Sequence, residues 1–478
     1  MLDKKFTIYL YFCIFLFFFL LGVVLFYSFG YKYNIEENKT IQTGAIIIKA
    51  YPEKVDVYKN DFLYKNNKTI VNLFSDFVKI DNLKIGKYNI KIKKDGYFEW
   101  EKNINVESGY VTELKNIVLL KKNYNQNIIL SKMQISSDEN HIWVNNKKNK
   151  IAYKKVSEER LVLAIFSFDK AEEKIVTDLK KVPLSQIQKD YNFDDVFFSE
   201  DNTKIILKII TNNGIFWYLI EIENKNKIYN LTSVLAGSEE IKNGWNFFFS
   251  EPIFYIKDNI LYEFDYIKMS SKKILENINS FLVQNNRIYF FNSNDNALYS
   301  SNINNLSNIK KIAVMPEDFD SELLAKITRT GKNTYLILSS SGNLYFIDNR
   351  NKINFINSSV KKADFFYNDE RIIYNNDHEI WIYYIKEKTS QPAKKEFTNE
   401  LFTRFSGYIG NIFLHKDEEH LFYKEGDIFK FSEIDNRDKR NIFEIMKIDN
   451  HNIFYSRDVN SLYYIKNNRF IQMNLEDE

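Results

Sequence analysis

The segment His415-Lys416-Asp417-Glu418-Glu419-His420 concentrates two imidazoles and three carboxylates in one short stretch. Those groups ligate divalent metals only where a rigid frame fixes their geometry. The stretch falls in an expected hairpin and includes a lysine, so the expectation is a solvated charged turn, with no metal ligand assigned. His141, His378 and His451 occupy unlike positions in the repeat described below, and they are not expected to converge. Asp194 and Asp195 open a strand expected to line a central funnel, where paired acids could bind a cation or a sugar hydroxyl. An acidic residue starting a strand on a solvated rim is the more ordinary reading. No G-x-S-x-G elbow, H-E-x-x-H helix, phosphate loop or dinucleotide fingerprint occurs. The catalytic, cofactor and metal assignments are therefore none, the binding residues are left unknown, and the chain is not expected to be an enzyme.

These residues must be positioned by strands. Beyond residue 130 one pattern recurs, a polar turn followed by aliphatic, aromatic and apolar positions: DNILYEF, DNALYSS, SGNLYFI, HEIWIYY, GDIFKFS and NSLYYIK. With Leu261, Leu298, Leu344, Ile380, Ile428 and Leu462 as register, the steps run from 34 residues (Ile428 to Leu462) to 48 (Ile380 to Ile428). Their mean of about 40 is the period of four-stranded propeller blades. Apolar runs of four to eight residues rich in Ile, Tyr, Phe and Val fit strands better than the helices of a solenoid. Innermost strands are expected near His141, Asp194, Asn246, Phe281, Leu324, Ala363, Ile409 and His451, giving eight blades over 121–478. Seven is the alternative if 141–190 is not a full blade. The last blade runs out after its third strand, and residues 127–130 (NIIL) are expected to supply the fourth, closing the ring and removing its open edge. The Ser199-Glu200-Asp201 turn resembles the blade turns of TolB-type and WD-type propellers.

The composition agrees with an all-β chain. Of 478 residues, 41 are Phe and 32 are Tyr, which favours strands, while only 14 Gly and 5 Pro leave turns to Asn, Asp, Ser and Lys. A net charge of +3 gives no electrostatic case for nucleic acid as a partner. The single cysteine, Cys13, excludes an intramolecular disulfide and lies inside the apolar run, where a lipid-facing side chain is expected.

Residues 6–29 (FTIYLYFCIFLFFFLLGVVLFYSF) carry no charge and exceed the roughly 20 residues needed to cross a bilayer. The run outlasts a signal-peptide core of about 7–15 residues and ends among tyrosines rather than small residues. It is expected to be an uncleaved transmembrane helix. Lys4 and Lys5 precede it, and Glu36 and Glu37 follow, so residues 1–5 are expected in the cytoplasm and the bulk of the chain outside.

Residues 30–43 read as a spacer. Strand-like runs then follow in GAIIIK, VDVY, KYNIKIK and the segments 104–106 and 111–119, with turn residues at Asp95-Gly96. Residues 44–120 resemble a PEGA domain, a small β-sandwich. The resemblance rests on Pro52-Glu53, followed by Lys54 and Val55 where that motif has Gly and Ala, then on Gly86-Lys87-Tyr88 and Lys93-Lys94-Asp95-Gly96-Tyr97 with Trp100 close behind. It implies an extracytoplasmic accessory module. Tyr97 and Trp100 are expected to pack rather than to stack a sugar.

The expected protein is thus a bacterial, single-pass, membrane-tethered scaffold of the cell envelope, its propeller offering a surface to a protein or glycan partner. Two rivals remain: an assembly factor of TolB-like type that pairs with strands of envelope proteins, and a glycan hydrolase or lyase with two funnel acids about 5 to 9.5 Å apart.

Overall fold

The computed structural model describes residues 4–475 apart from 29, 35–37, 65–76, 131–141, 146–148, 158–159, 169, 171, 179–190, 200, 213, 224–226, 236–252, 285, 318, 320–325, 330–332, 449–452 and 468. His141, His451 and the strand expected near Asn246 lie outside the described residues.

A helix, α1 (Lys4–Ser28), opens the chain. Within it Tyr9–Tyr27 has a mean hydropathy of 2.7, none of it is buried, and it is long and apolar enough to cross a membrane. Residues 30–43, expected as a spacer, instead form a hairpin of β1 (Tyr31–Asn34) and β2 (Lys39–Gln42). Tyr31 stacks on Phe26 of the helix at 5.3 Å, and Gly30 makes the corner with φ of 79°. A Cβ on Gly30 would lie 2.8 Å from the Thr43 carbonyl oxygen, so glycine lets the hairpin close against the helix end. Thr43 N–H donates to the Gly30 carbonyl at 2.8 Å, tying the far end of the hairpin to the same corner.

The next unit is a two-sheet sandwich. Strands β3 (Gly44–Tyr51), β4 (Asp56–Lys59), β5 (Phe62–Leu63), β6 (Val78–Leu83), β7 (Gly86–Lys93), β8 (Trp100–Val106) and β9 (Val111–Val118) form one sheet ordered β6-β3-β9 and another ordered β5-β4-β7-β8. β3 and β9 run parallel, and the remaining pairs are antiparallel. Alternation in β7 and β8 sends Ile90, Ile92, Trp100 and Ile104 into the core with Ile46 and Ile48.

A β-propeller follows. Eight sheets succeed one another among the described residues: sheet 1 (142–178), sheet 2 (191–230), sheet 3 (253–276), sheet 4 (278–314), sheet 5 (326–357), sheet 6 (362–404), sheet 7 (409–447) and sheet 8 (453–474). Each is an antiparallel meander, of four strands except for three in sheet 3. Sheet 8 takes its fourth strand from Gln126–Leu130, which pairs with Arg469–Asn474, so both ends of the array share one sheet. Second and third strands are buried on both faces, as in Leu344–Ile347, whereas outer strands such as Asn305–Val314 are mostly exposed. Turns use Asn and Asp in the left-handed region, including Asn259, Asn286, Asn296, Asn351 and Asn460. That is how the fold manages with so few glycines.

The meander fixes two faces. Connections between first and second strands, and between third and fourth, lie at one face. Connections between second and third strands, and from sheet to sheet, lie at the other, among the described residues.

Candidate functional site

A cavity of about 420 Å³ opens in the propeller channel where the innermost strands of sheets 6, 7, 8 and 1 converge. Phe365, Tyr367, Phe413 and Phe454 contribute aromatic surface, and Lys361, Asn375, Asp377 and Tyr408 supply polar groups. Lys361 and Tyr408 sit in sheet-to-sheet connections, Asp377 in a second-to-third-strand turn, and Asn375 ends the strand before that turn, so this polar rim is at the second of the two faces. Asp377 lies 3.9 Å from the Lys361 ammonium. Asp364 accepts the Phe365 amide at 2.9 Å. The phenol of Tyr374 donates to Asn399 at 2.8 Å and accepts from Asn357 at 3.1 Å, and burial pushes its pKa up. The cavity's size and its mixture of aromatic walls with a few polar groups suit a small ligand, a sugar or a peptide turn.

The sandwich docks on the opposite face, at the third-to-fourth-strand connections of sheets 6 and 7. Trp100 donates its indole N–H to Glu433 at 2.9 Å, and Lys102, with no exposed surface, places its ammonium 3.1 Å from Glu433, 3.4 Å from the Asp435 carboxylate and 2.7 Å from the Asp435 carbonyl. Asn441 donates twice more to Glu433, so this buried carboxylate is fully hydrogen-bonded. Arg437 reaches the Glu113 carbonyl at 2.8 Å, and Gln391 exchanges hydrogen bonds with the backbone of Glu113 and Val111. Phe98 meets Phe443 at 5.4 Å, and Leu120 joins the apolar cluster of sheet 7. Burial would raise the Asp435 carboxyl, but the Arg437 guanidinium and the Lys102 ammonium hold it below the usual carboxylate range.

No family model matches the chain, and no curated protein matches it. Solved structures do match: the Dos1 propeller (12% identity, 74% of this chain and 95% of that one, TM-score 0.42), a eukaryotic initiation factor (11%, 66% and 90%, 0.41) and PorZ, a bacterial surface component of the type-IX secretion system of Porphyromonas gingivalis (13%, 71% and 36%, 0.33).

The sequence-singled residues fall in several places. Asp194 and Asp195 lie on the first strand of sheet 2, at a bulge, and are absent from the cavity lining. Asp194 pairs with Lys208 at 2.5 Å on the neighbouring strand, while Asp195 accepts the Val196 amide and has its pKa raised by burial. The two acids lie inside the strand Tyr191–Phe198 rather than opening it. His378 is exposed, with Nδ1 2.8 Å from the Gly407 carbonyl. Trp100 packs as expected, and it also bonds across to the propeller.

The expectation of a solvated turn at 415–420 is corrected for its two histidines, while Asp417 is exposed. His415 and His420 are 5% and 1% exposed, because the hairpin folds its imidazoles inward against Phe422, Phe431 and Tyr455. Asp417 sits between them, 3.0 Å from Nδ1 of His415 and 2.7 Å from Nδ1 of His420. Burial opposes charge on both Asp417 and His420. Their mutual attraction outweighs it, holding Asp417 well below the carboxylate range and raising His420. Charge-rich composition hid this burial.

Lys361, Asp377 and Tyr408 went unnoticed in the sequence. They lie in connections, carry no motif, and meet because the turns of sheet 6 and its connection to sheet 7 are neighbours in the fold.

Proposed function

We propose that this protein is a membrane-tethered scaffold of the bacterial cell envelope, with residues 1–5 cytoplasmic, α1 spanning the membrane and the remainder extracytoplasmic. The PEGA-like sandwich acts as a bracket, and the propeller presents its cavity face to a protein or glycan partner. One observation carries this reading: the sandwich that directly follows α1 occupies one face of the propeller, and the cavity's polar rim is on the other. An anchored molecule so built turns an open, aromatic-lined mouth away from its anchor. The role proposed is binding, supported by the cavity's aromatic walls and its few polar groups.

The test is crosslinking capture of the full-length protein from its own membranes, beside a Lys361→Ala/Asp377→Ala/Tyr408→Ala variant. A defined envelope protein or glycan held by the parent and lost from the variant supports the reading. A defined partner retained by the variant places binding elsewhere. Turnover of a glycan by the parent, abolished by Asp364→Asn or Asp377→Asn, would replace the scaffold with an enzyme.

A further inference from the structure

The turn between the first two strands of sheet 7 has a counterpart in sheet 2. There Ser199 N–H donates to the Lys204 carbonyl at 3.0 Å, and Asp201 accepts the Thr203 amide at 3.0 Å and the Ser199 hydroxyl at 2.6 Å. In sheet 7, His415 N–H donates to the His420 carbonyl at 3.0 Å, and Asp417 accepts the Glu419 amide at 2.9 Å. The same backbone turn therefore closes in sheet 2 with a serine and a lysine where sheet 7 has two histidines. The imidazoles are an addition that the turn does not require.

Their arrangement gives that addition a use. One ligand atom from each of His415, Asp417 and His420 lies within 4.8 Å of the others. His420 is stacked on Phe431 at 4.8 Å and 5°, and His415 stands edge-on to the same ring at 5.4 Å, so both imidazoles are held by packing. Nδ1 of His415, on a side chain more than nine-tenths buried, has no hydrogen-bond partner although the Asp417 carboxylate is only 3.0 Å away. A buried ring nitrogen facing a carboxylate without hydrogen-bond alignment is poorly served by a proton and well served by a cation lying in the ring plane.

We propose that His415, Asp417 and His420 bind a divalent transition-metal ion of the zinc class. Two imidazoles and one carboxylate select zinc, cobalt or nickel over calcium and magnesium, which take oxygen ligands. Bonds of about 2.0–2.2 Å in a tetrahedral set place ligand atoms about 3.3 Å apart. The present separations of 2.7 and 3.0 Å run from the two histidines to different oxygens of Asp417, and the ligand atoms span up to 4.8 Å, so an ion must turn one carboxylate oxygen toward both rings and draw the widest pair together. Asp417 is the ligand free to yield, its side chain being 28% exposed, and water reaching it completes the coordination. His420 pairs across the sheet with Glu433, which holds Trp100 and Lys102, so a bound ion also stiffens the strand on which the sandwich docks.

The experiment titrates chelator-treated full-length protein in detergent with Zn²⁺ by calorimetry and with Co²⁺ by visible absorption, and follows the thermal midpoint. The expected result is about one ion per chain, a tetrahedral-type cobalt spectrum and a raised midpoint with Zn²⁺. His415→Gln, which removes a nitrogen bonded to nothing in the metal-free turn, should weaken binding by more than the roughly tenfold cost of losing an outer-shell partner. His378→Ala should change nothing. Absence of stoichiometric Zn²⁺ binding by the parent overturns the proposal, as does equal binding by His415→Gln with an unchanged melting curve in chelator.

Discussion

Lys102 brings a full charge into a position with no exposed surface, and three oxygens of Glu433 and Asp435 surround it. Removing one member of such a cluster leaves the others buried and unpaired, at a cost of about 3–5 kcal/mol. Lys102→Met should therefore lose about that much stability in urea unfolding followed by Trp fluorescence. Lys102→Met with Glu433→Gln should recover part of the loss, because the uncompensated carboxylate is gone. Acid acts on the same cluster. The folded-state pKa of Asp435 is depressed, so its contribution is present above the unfolded value of about 3.9 and disappears as pH falls through the lower folded value. Stability measured from pH 6 downward should thus fall below about pH 4, and the fall should be shallower in Asp435→Asn. Gly44 is constrained by space rather than by φ: a Cβ there would lie 2.4 Å from the Glu107 carbonyl oxygen and 2.5 Å from a Val106 methyl. Gly44→Ala should cost about 1–3 kcal/mol by overpacking the strand that leaves the hairpin.

At the scale of elements, the strand Gln126–Leu130 decides whether the propeller is a closed ring. It pairs with Arg469–Asn474 through Asn127 with Gln472 and Ile128 with Ile471, across more than three hundred residues of chain. Ile471 is buried in the cluster that also holds Leu120, Phe429 and Leu462. Ile471→Asp places an unpaired charge in that seam, and it should destabilise by more than about 3 kcal/mol and expose the ends to limited proteolysis before the middle. If the variant unfolds in one transition with an unchanged order of cleavage, the closing sheet is not the weak point. The hairpin after α1 is the second decisive element. Its corner at Gly30 and the Thr43 bond close it at the helix end, and the Gly109 amide donating to the Thr43 carbonyl joins it to the sandwich.

For the whole molecule, hydrogen bonds join the hairpin to the sandwich, as from Ser108 to Gln42, and the sandwich to the propeller, as from Trp100 to Glu433. Cys13 is the only cysteine, which makes labelling simple. In a Cys13→Ser background, Ser358→Cys, on the exposed connection between sheets 5 and 6, should react with a membrane-impermeant maleimide in intact cells. Failure to react until the cells are lysed would reverse the proposed topology.

The sequence by itself determined the features that depend on local pattern. The uncharged run of 6–29, the alternation in KYNIKIK and the recurrence at Leu261, Leu298, Leu344, Ile380, Ile428 and Leu462 each reflect a backbone period read over a few residues. Even the closing strand was legible, because a final unit one strand short leaves an edge that must be satisfied. Tertiary structure alone decided what depends on meetings between distant segments. Lys102 and Glu433 look like surface charges in sequence and become a buried pair only when the sandwich docks. Lys361, Asp377 and Tyr408 share a rim because sheet 6 and its connection to sheet 7 lie side by side, and Asp194 and Asp195 are on sheet 2, away from the four sheets that line the cavity. The hairpin at 415–420 shows the limit most plainly: its composition is that of a solvated turn, and the aromatic rings of its own sheet and the next bury its two imidazoles. Burial is a property of neighbours, and the neighbours of a turn are not written within it.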